Sequence, residues 1–474
     1  MSITIPALCF GQAYQSLNRH PVVDLGTGES VASLGLVRGS RIGSDCQRKD
    51  LLSRALQVLQ SIPVHTRIEM SVKAADIFQN GTLPCGNATQ APEDYLRVLT
   101  RTSGLPIALA KANTERICAA LRDTAAIMNG LARDLPFEIL DKGVGKQQGV
   151  NVRFVPRIKT LGACMPNNSP GVHVIWLISL AFGIPVLIRP GSSEPFTPYR
   201  LIQAFMRAGF PAEVFGYYPC DHDSANRIPE LTRGAIVFGS DQTVKRWANY
   251  PLVQVHGSGF SKLIVGDDLI EDWRSLIPQL AENVSANSGR SCFAVSRIMV
   301  PKYGSAIANA LAQELESLQP GPLEDRGTML SAMADPKQAA LVNASIQSGL
   351  GQGGATDMSA PYRKNARLAT FEGRTYLLPT IVHCESNGHP LAKQEFLFPY
   401  AAVVECSNET AFAEMGPTLA LAVYTRDEKL IERARKTRVS LVSINRPTSS
   451  LDRRQPHEEN LFDLLWERLS YTGN

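Results

Sequence analysis

The spacing of apolar positions changes character several times along the chain. Residues 22–35, VVDLGTGESVASLG, alternate around a Gly-containing turn and predict a hairpin-like opening. Long stretches with apolar positions three and four apart follow, such as DLLSRALQVLQSI (50–62) and TERICAALRDTAAIMNGLARDL (114–135), and these predict amphipathic helices. Residues 136–157, PFEILDKGVGKQQGVNVRFVPR, form two strand-like runs around a turn rich in Gly, Lys and Gln. A hairpin of that kind is marginal alone, so it is expected to protrude and pair with another subunit.

Between 159 and 265 short apolar runs alternate with helical ones: TLGACM, HVIWLISLAF, PVLIRP, YRLIQAFMRAG, EVFGYYP, AIVFGS and KLIVG. Strand and helix in alternation imply βαβ units and an open, mostly parallel sheet, whose ligands bind beyond the carboxyl ends of the strands. A second alternating stretch covers 276–425. The segment 447–460, PTSSLDRRQPHEEN, is polar and loop-like, and LFDLLWERL (461–469) predicts a last helix. The expected fold class is α/β.

Composition narrows the function. With 474 residues, 44% hydrophobic and 19% charged, the chain can build two or three ordinary globular domains. Its net charge of +4 is spread without any block of like charges, which argues against nucleic acid as a partner. The nine cysteines form an odd set with no C-x-x-C pair, so neither a disulfide framework nor a metal site is expected. Reduced thiols and an N-terminus without a basic segment leading into an apolar core point to the cytoplasm. The apolar run 172–188 approaches membrane-span length, but Gly183 and Pro185 would break it, so a buried helix, a turn and a short strand are expected instead of a membrane span.

Candidate chemistry centres on NSGRSC (287–292), where Cys292 follows a small Gly-containing turn and precedes an apolar strand. A thiol there can be accessible at an element end, although a lone cysteine is more often an inert core residue. Other pieces fall in a definite order around it: MPNNSPG (165–171) before an apolar helix, RPGSSEPFTP (189–198) and VFGSDQTV (237–244) after buried strands, then QEFLFPYAAVVE (394–405), LALAVYTRD (419–427) and VSIN (442–445).

Taken together these resemble the aldehyde dehydrogenase superfamily over nearly the whole chain. NSGRSC resembles the N-x-G-Q-x-C nucleophile motif, with Arg290 where Gln is usual, and makes Cys292 the residue that attacks the carbonyl carbon. MPNNSP is similar to P-W-N-F-P and gives Asn168 the role of oxyanion donor, beside the backbone N–H of Cys292. RPGSSEPFTP resembles K-P-S-E-x-T-P, so Arg189, Ser192, Ser193 and Glu194 are expected to line the adenine ribose. Arg189 replaces Lys, and a guanidinium beside two serines suits a 2′-phosphate, so the implied cofactor is NAD or NADP. VFGSDQ resembles F-T-G-S-T, which assigns Gly239 and Ser240 to the pyrophosphate at a helix start. QEFLFP resembles E-E-x-F-G-P and gives Glu395 the nicotinamide ribose.

The informative departure is HGSGFSK (256–262), which stands where hydrolytic members have E-L-G-G-K-S-P with its water-activating Glu. Members that resolve the thioester with coenzyme A typically lack that Glu and carry a small Gly-rich stretch. The stretch 257–259, GSG, fits them, with Gly257 beside the cofactor, and the CoA-linked interconversion of acyl-CoA and aldehyde is the preferred reading. The alternative is hydrolytic oxidation of an aldehyde to a carboxylic acid with His256 as general base. A third reading, a non-catalytic member kept for cofactor binding, follows from the several replaced motif positions. The resemblance implies a nicotinamide dinucleotide-binding domain of open Rossmann type over 1–136 and 158–258, and an α/β catalytic domain over 259–440. An oligomerisation hairpin (137–157) and C-terminal tail (441–474) complete the expectation, in a homodimer or homotetramer.

Overall fold

A computed structural model describes residues 3–47, 51–364 and 366–472. The chain divides into two compact units. The first comprises Met1–Thr102, Ala110–Gly257 and Arg453–Asn474; the second comprises Ser103–Leu109 and Ser258–Asp452.

The first unit is built on a seven-stranded sheet. From edge to edge its strands are Val253–His256, Ala235–Phe238, Leu161–Cys164, Val186–Arg189, Phe215–Tyr217, Ala7–Cys9 and Gln12–Tyr14. The first five run parallel, Ala7–Cys9 is antiparallel to Phe215–Tyr217, and Gln12–Tyr14 is antiparallel to Ala7–Cys9. Strands such as Val186–Arg189 are buried at every position, which is why their sequences read as continuous apolar runs rather than alternating ones. The apolar run of 172–188 resolves as a buried helix, Val174–Ala181, a turn at Gly183 with φ +83°, and that strand. Among the described residues no helix is long and apolar enough to cross a membrane.

Leu161–Cys164 is the switch strand of this sheet. The chain leaves it first towards Val186–Arg189 and later returns on its other side as Ala235–Phe238. The turns after Leu161–Cys164 and Ala235–Phe238 therefore diverge and leave a crevice at the carboxyl ends, the place where open α/β sheets take ligands.

Strands Val144–Gln147 and Val150–Pro156 form the expected hairpin. Its two-residue turn, Gln148 and Gly149, has positive φ at both positions, the geometry that matches strand twist. The C-terminal segment differs from expectation. Helix Leu461–Leu465 stops after five residues, and Trp466–Leu469 becomes a strand paired antiparallel with Val150–Pro156. The helical spacing of LFDLLWERL is overridden by tertiary contacts: Trp466 Nε1 donates to the Phe182 carbonyl at 3.1 Å, and Phe462 packs on Phe154 and Phe182.

The second unit also holds a seven-stranded sheet, ordered Ala355–Asp357, Thr380–Cys384, Tyr400–Glu405, Arg297–Val300, Lys262–Val265, Ala420–Tyr424 and Leu441–Ile444. All neighbours are parallel except the first pair. Helices Trp273–Ser285 and Gly304–Glu314 bury their apolar faces on it.

Candidate active site

The residues singled out from the sequence collect at two sets of strand ends, the carboxyl ends in the first unit and the amino ends in the second. His256 closes the edge strand of the first sheet, and the chain runs through Gly257–Ser258–Gly259 to Lys262, which opens a central strand of the second.

In the first unit, Asn168 is half-buried in the turn that follows Leu161–Cys164. Its neighbour Asn167 organises the next loop: its Oδ1 accepts from Ser193 N at 2.8 Å and its Nδ2 donates to Ser192 Oγ at 3.4 Å. Gly191 lies against it so closely that a Cβ there would fall inside 3.0 Å of the Asn167 side chain and the Pro166 carbonyl. Two adjacent Asn residues left no sign in the sequence of which would brace the loop.

Arg189 ends its strand buried, with Nη2 3.5 Å from the Cys220 carbonyl. Its Nε has no hydrogen-bond partner among the described residues. Glu194, by contrast, is committed inside the unit at 3% exposure. Its Oε1 accepts from Thr197 N at 2.8 Å in the first turn of helix Phe196–Ala208, and its Oε2 lies 3.7 Å from His173 Nε2. That engagement serves the helix start, and Ser192, half-buried at the loop tip, is the more accessible of the two.

Gly239 and Ser240 are exposed at the start of helix Asp241–Trp247. A Cβ on Gly239 would meet the Thr243 side chain inside 3.0 Å, and one on Gly257 would meet Val244. These bare backbone positions beside the switch crevice, with a buried guanidinium nitrogen still seeking an acceptor, fit a dinucleotide carrying phosphate groups.

His256 is 4% exposed and held from three directions. Its Nδ1 lies 2.6 Å from Glu458 Oε1, its ring stacks on Phe238 at 4.6 Å and 18°, and its carbonyl accepts from Gly239 N at 3.2 Å. His457 meets it edge-on at 5.7 Å, and burial together with His256 and Arg116 pushes His457 down to about 4. The ligand atoms of His256, His457 and Glu458 lie within 4.8 Å of one another, a spacing that could hold a metal ion. Neither Glu458 nor His457 was legible in the sequence, where 447–460 reads as a polar loop.

In the second unit Cys292 is half-buried, five residues before the strand Arg297–Val300. The turn leading to it is left-handed at three successive residues, Asn287, Ser288 and Gly289, with φ of 52°, 58° and 68°. Runs of this kind are unfavourable by roughly 1–2 kcal/mol per non-glycine residue, so the surroundings must hold them. Gly289 abuts the Phe398–Pro399 backbone, where a Cβ would fall inside 3.0 Å. Ser288 Oγ accepts from Ser331 N at 2.8 Å. Arg290, buried so that its pKa falls to about 10, donates from Nη1 to the Ser103 carbonyl at 2.7 Å and acts as a brace.

The other side of the Cys292 loop is the turn 259–261. Ser261 Oγ donates to the Cys292 carbonyl at 2.8 Å, and Gly259 sits against that same carbonyl. Glu395 accepts from Gly259 N at 3.2 Å and from Phe260 N in a shorter bond. Burial raises Glu395 to about 7 against the opposing effect of those two N–H groups and of Lys262. Lys262, lowered to about 7 by burial and by Arg297, donates to the Phe260 and Pro417 carbonyls and to Thr418 Oγ1. The carboxylate assigned to the nicotinamide ribose thus holds the GSGF turn in place. The remaining eight cysteines all have pKa values raised by burial, most of them to about 12.

Comparison with known proteins agrees with this arrangement. The model of the aldehyde dehydrogenase family matches residues 54–458. The geranial dehydrogenase of Castellaniella defragrans is 25% identical over 315 residues, 61% of this chain and 62% of that protein, so the chain matches under two thirds of its length. Two solved structures share the fold at 19% identity and TM-score 0.82: the AldA indole-3-acetaldehyde dehydrogenase of P. syringae, in complex with NAD+ and IAA, and the aldehyde dehydrogenase KauB from Pseudomonas aeruginosa. The first covers 99% of this chain and 97% of its own, the second 99% and 96%. With a braced cysteine at the amino ends of one sheet, a switch crevice in the other and a family model spanning most of the sequence, the chain belongs to the aldehyde dehydrogenase family.

Proposed function

We propose that this chain is an NAD(P)-dependent aldehyde dehydrogenase that forms a thioester on Cys292 and releases a carboxylic acid, with His256 as the base that activates water. The observation that carries the hydrolytic reading is the 2.6 Å pairing of His256 Nδ1 with Glu458, which supplies a histidine–carboxylate pair where the family resemblance expects a glutamate.

In this mechanism the Cys292 thiolate adds to the aldehyde carbon, and the Asn168 amide with the Cys292 backbone N–H stabilises the alkoxide. NAD+ or NADP+ supplies the hydride acceptor. Arg189, Ser192, Gly239, Ser240 and Gly257 hold the dinucleotide, with Glu395 at the nicotinamide side. His256 then takes a proton from water as its oxygen attacks the thioester carbon, and collapse expels the Cys292 thiolate. The segment 259–440 acts as the catalytic domain, and the 137–157 hairpin is the proposed contact between subunits.

A second reading keeps coenzyme A as the acyl acceptor. The carboxylate-free GSG stretch favours it, since a thiol with a pKa near 8.5 needs less help from a base than water does. Incubation with an aldehyde and NAD+ or NADP+, with and without CoA, separates the two. Free acid formed with full turnover in the absence of CoA supports hydrolysis; reduced cofactor that accumulates only with CoA overturns it. Cofactor binding without acylation of Cys292 would overturn both.

A further inference from the structure

We propose that Glu458 is the positioning residue of the deacylation step, fixing the tautomer of His256 so that Nε2 is the atom that accepts the proton from water. The inference rests on the hydrolytic reading above and extends it to a residue some two hundred positions away in the sequence.

The argument starts from donor and acceptor inventory. A carboxylate oxygen only accepts, so the 2.6 Å contact with Glu458 Oε1 requires the hydrogen on Nδ1 of His256. In the neutral ring the lone pair then lies on Nε2. That nitrogen is buried and has no hydrogen-bond partner among the described residues. Leaving a buried acceptor unsatisfied is costly, roughly 1–3 kcal/mol, unless a further group or water meets it.

The ring cannot turn to exchange the roles of its nitrogens without losing its supports. Phe238 stacks on one face at 4.6 Å, the backbone carbonyl is bonded to Gly239 N, and His457 packs against the edge at 5.7 Å.

The step balances as follows. Water loses a proton to His256 Nε2 while its oxygen bonds to the thioester carbon; the C–S bond breaks and the electron pair leaves on Cys292 Sγ. The proton on Nε2 then passes to solvent or to the thiolate, and the carboxylic acid is released. Glu458 stabilises the transient imidazolium without taking its proton.

The test compares full-length wild type with Glu458→Ala and Glu458→Gln by stopped-flow NAD(P)H formation from an aldehyde, with thermal unfolding and NAD(P)H binding as controls on folding. Acylation and hydride transfer precede deacylation, so both variants should keep a burst near one equivalent per subunit. Their steady-state rate should fall by on the order of ten- to a thousandfold, Ala more than Gln. Hydroxylamine attacks thioesters without base assistance, and it should restore turnover with hydroxamate as product. Unchanged steady-state turnover in Glu458→Ala overturns the inference while leaving the hydrolytic reading intact. Loss of the burst together with turnover, without rescue by hydroxylamine, marks a merely structural role and overturns it too. A wild type that forms no acid without CoA defeats the hydrolytic reading and the inference with it.

Discussion

Gly259 lies against the backbone carbonyl of Cys292, so close that a Cβ at residue 259 would fall inside 3.0 Å of both the carbonyl carbon and its oxygen. The carbonyl is backbone and already accepts from Ser261 Oγ, so neither side can give way cheaply. Gly259→Ala is expected to displace the nucleophile loop, cost about 1–3 kcal/mol of stability and lower kcat at least about tenfold. Thermal unfolding and steady-state kinetics on the same preparation check both parts; a variant with wild-type kcat would show that the close approach does not position the thiol.

The eight cysteines other than Cys292 are held protonated by burial. Since the thiolate is the reacting species, iodoacetamide at about pH 7.5 should modify Cys292 first in the native protein. Peptide mass spectrometry should find one alkylated site coincident with loss of activity, and Cys292→Ala should remove both the label and the activity. Prior protection by NAD(P)H would slow the labelling.

Glu395 and Lys262 make opposite contributions to the pH dependence of stability. Glu395 is raised from 4.5 to about 7, so the folded state binds its proton more tightly, and its contribution falls as pH rises across that interval. Lys262 is lowered from 10.5 to about 7, so its contribution is complete at high pH and is lost as pH falls through about 7. Urea unfolding of Glu395→Gln against wild type should show the wild type losing ground between about pH 4.5 and 7. A flat difference would mean that Glu395 is not buried against the Gly259 and Phe260 amides.

Replacement of Lys262 by Met should be costly, most of all at high pH, because the Phe260 and Pro417 carbonyls and Thr418 Oγ1 lose a shared donor inside the second unit. A destabilisation of about 3 kcal/mol is expected, read as a drop in Tm. Lys262→Arg should not rescue it, since a planar guanidinium does not reach the same three oxygens.

The parts of the site that could be read from sequence are those where local backbone demands particular residues. Gly289 and Gly259 appear in short motifs because one needs a left-handed backbone against Phe398 and the other a bare Cα against Cys292. The apolar runs of both sheets were equally plain, because strands buried on both faces tolerate little else. What could not be read depends on contacts between distant segments. Glu458 sits in a polar stretch without periodicity, and its pairing with His256 exists only in three dimensions. Glu194, which the resemblance places at the adenine ribose, also accepts from Thr197 N at the start of its helix, a contact that the sequence does not announce. The strand Trp466–Leu469 has helical spacing and is recruited by the edge of Val150–Pro156.

The first unit is interrupted in sequence: Ser258–Asp452 intervenes before Arg453–Asn474 returns to it. During synthesis on the ribosome, the nascent first unit must therefore wait for about two hundred further residues before Trp466–Leu469 can cover the edge of the hairpin sheet. Until then that edge is open to wrong partners, and His256 lacks its carboxylate. Assembly of the first unit is thereby coupled to synthesis of the second, and a chain stalled within Ser258–Asp452 would carry His256 without the carboxylate that pairs with its Nδ1.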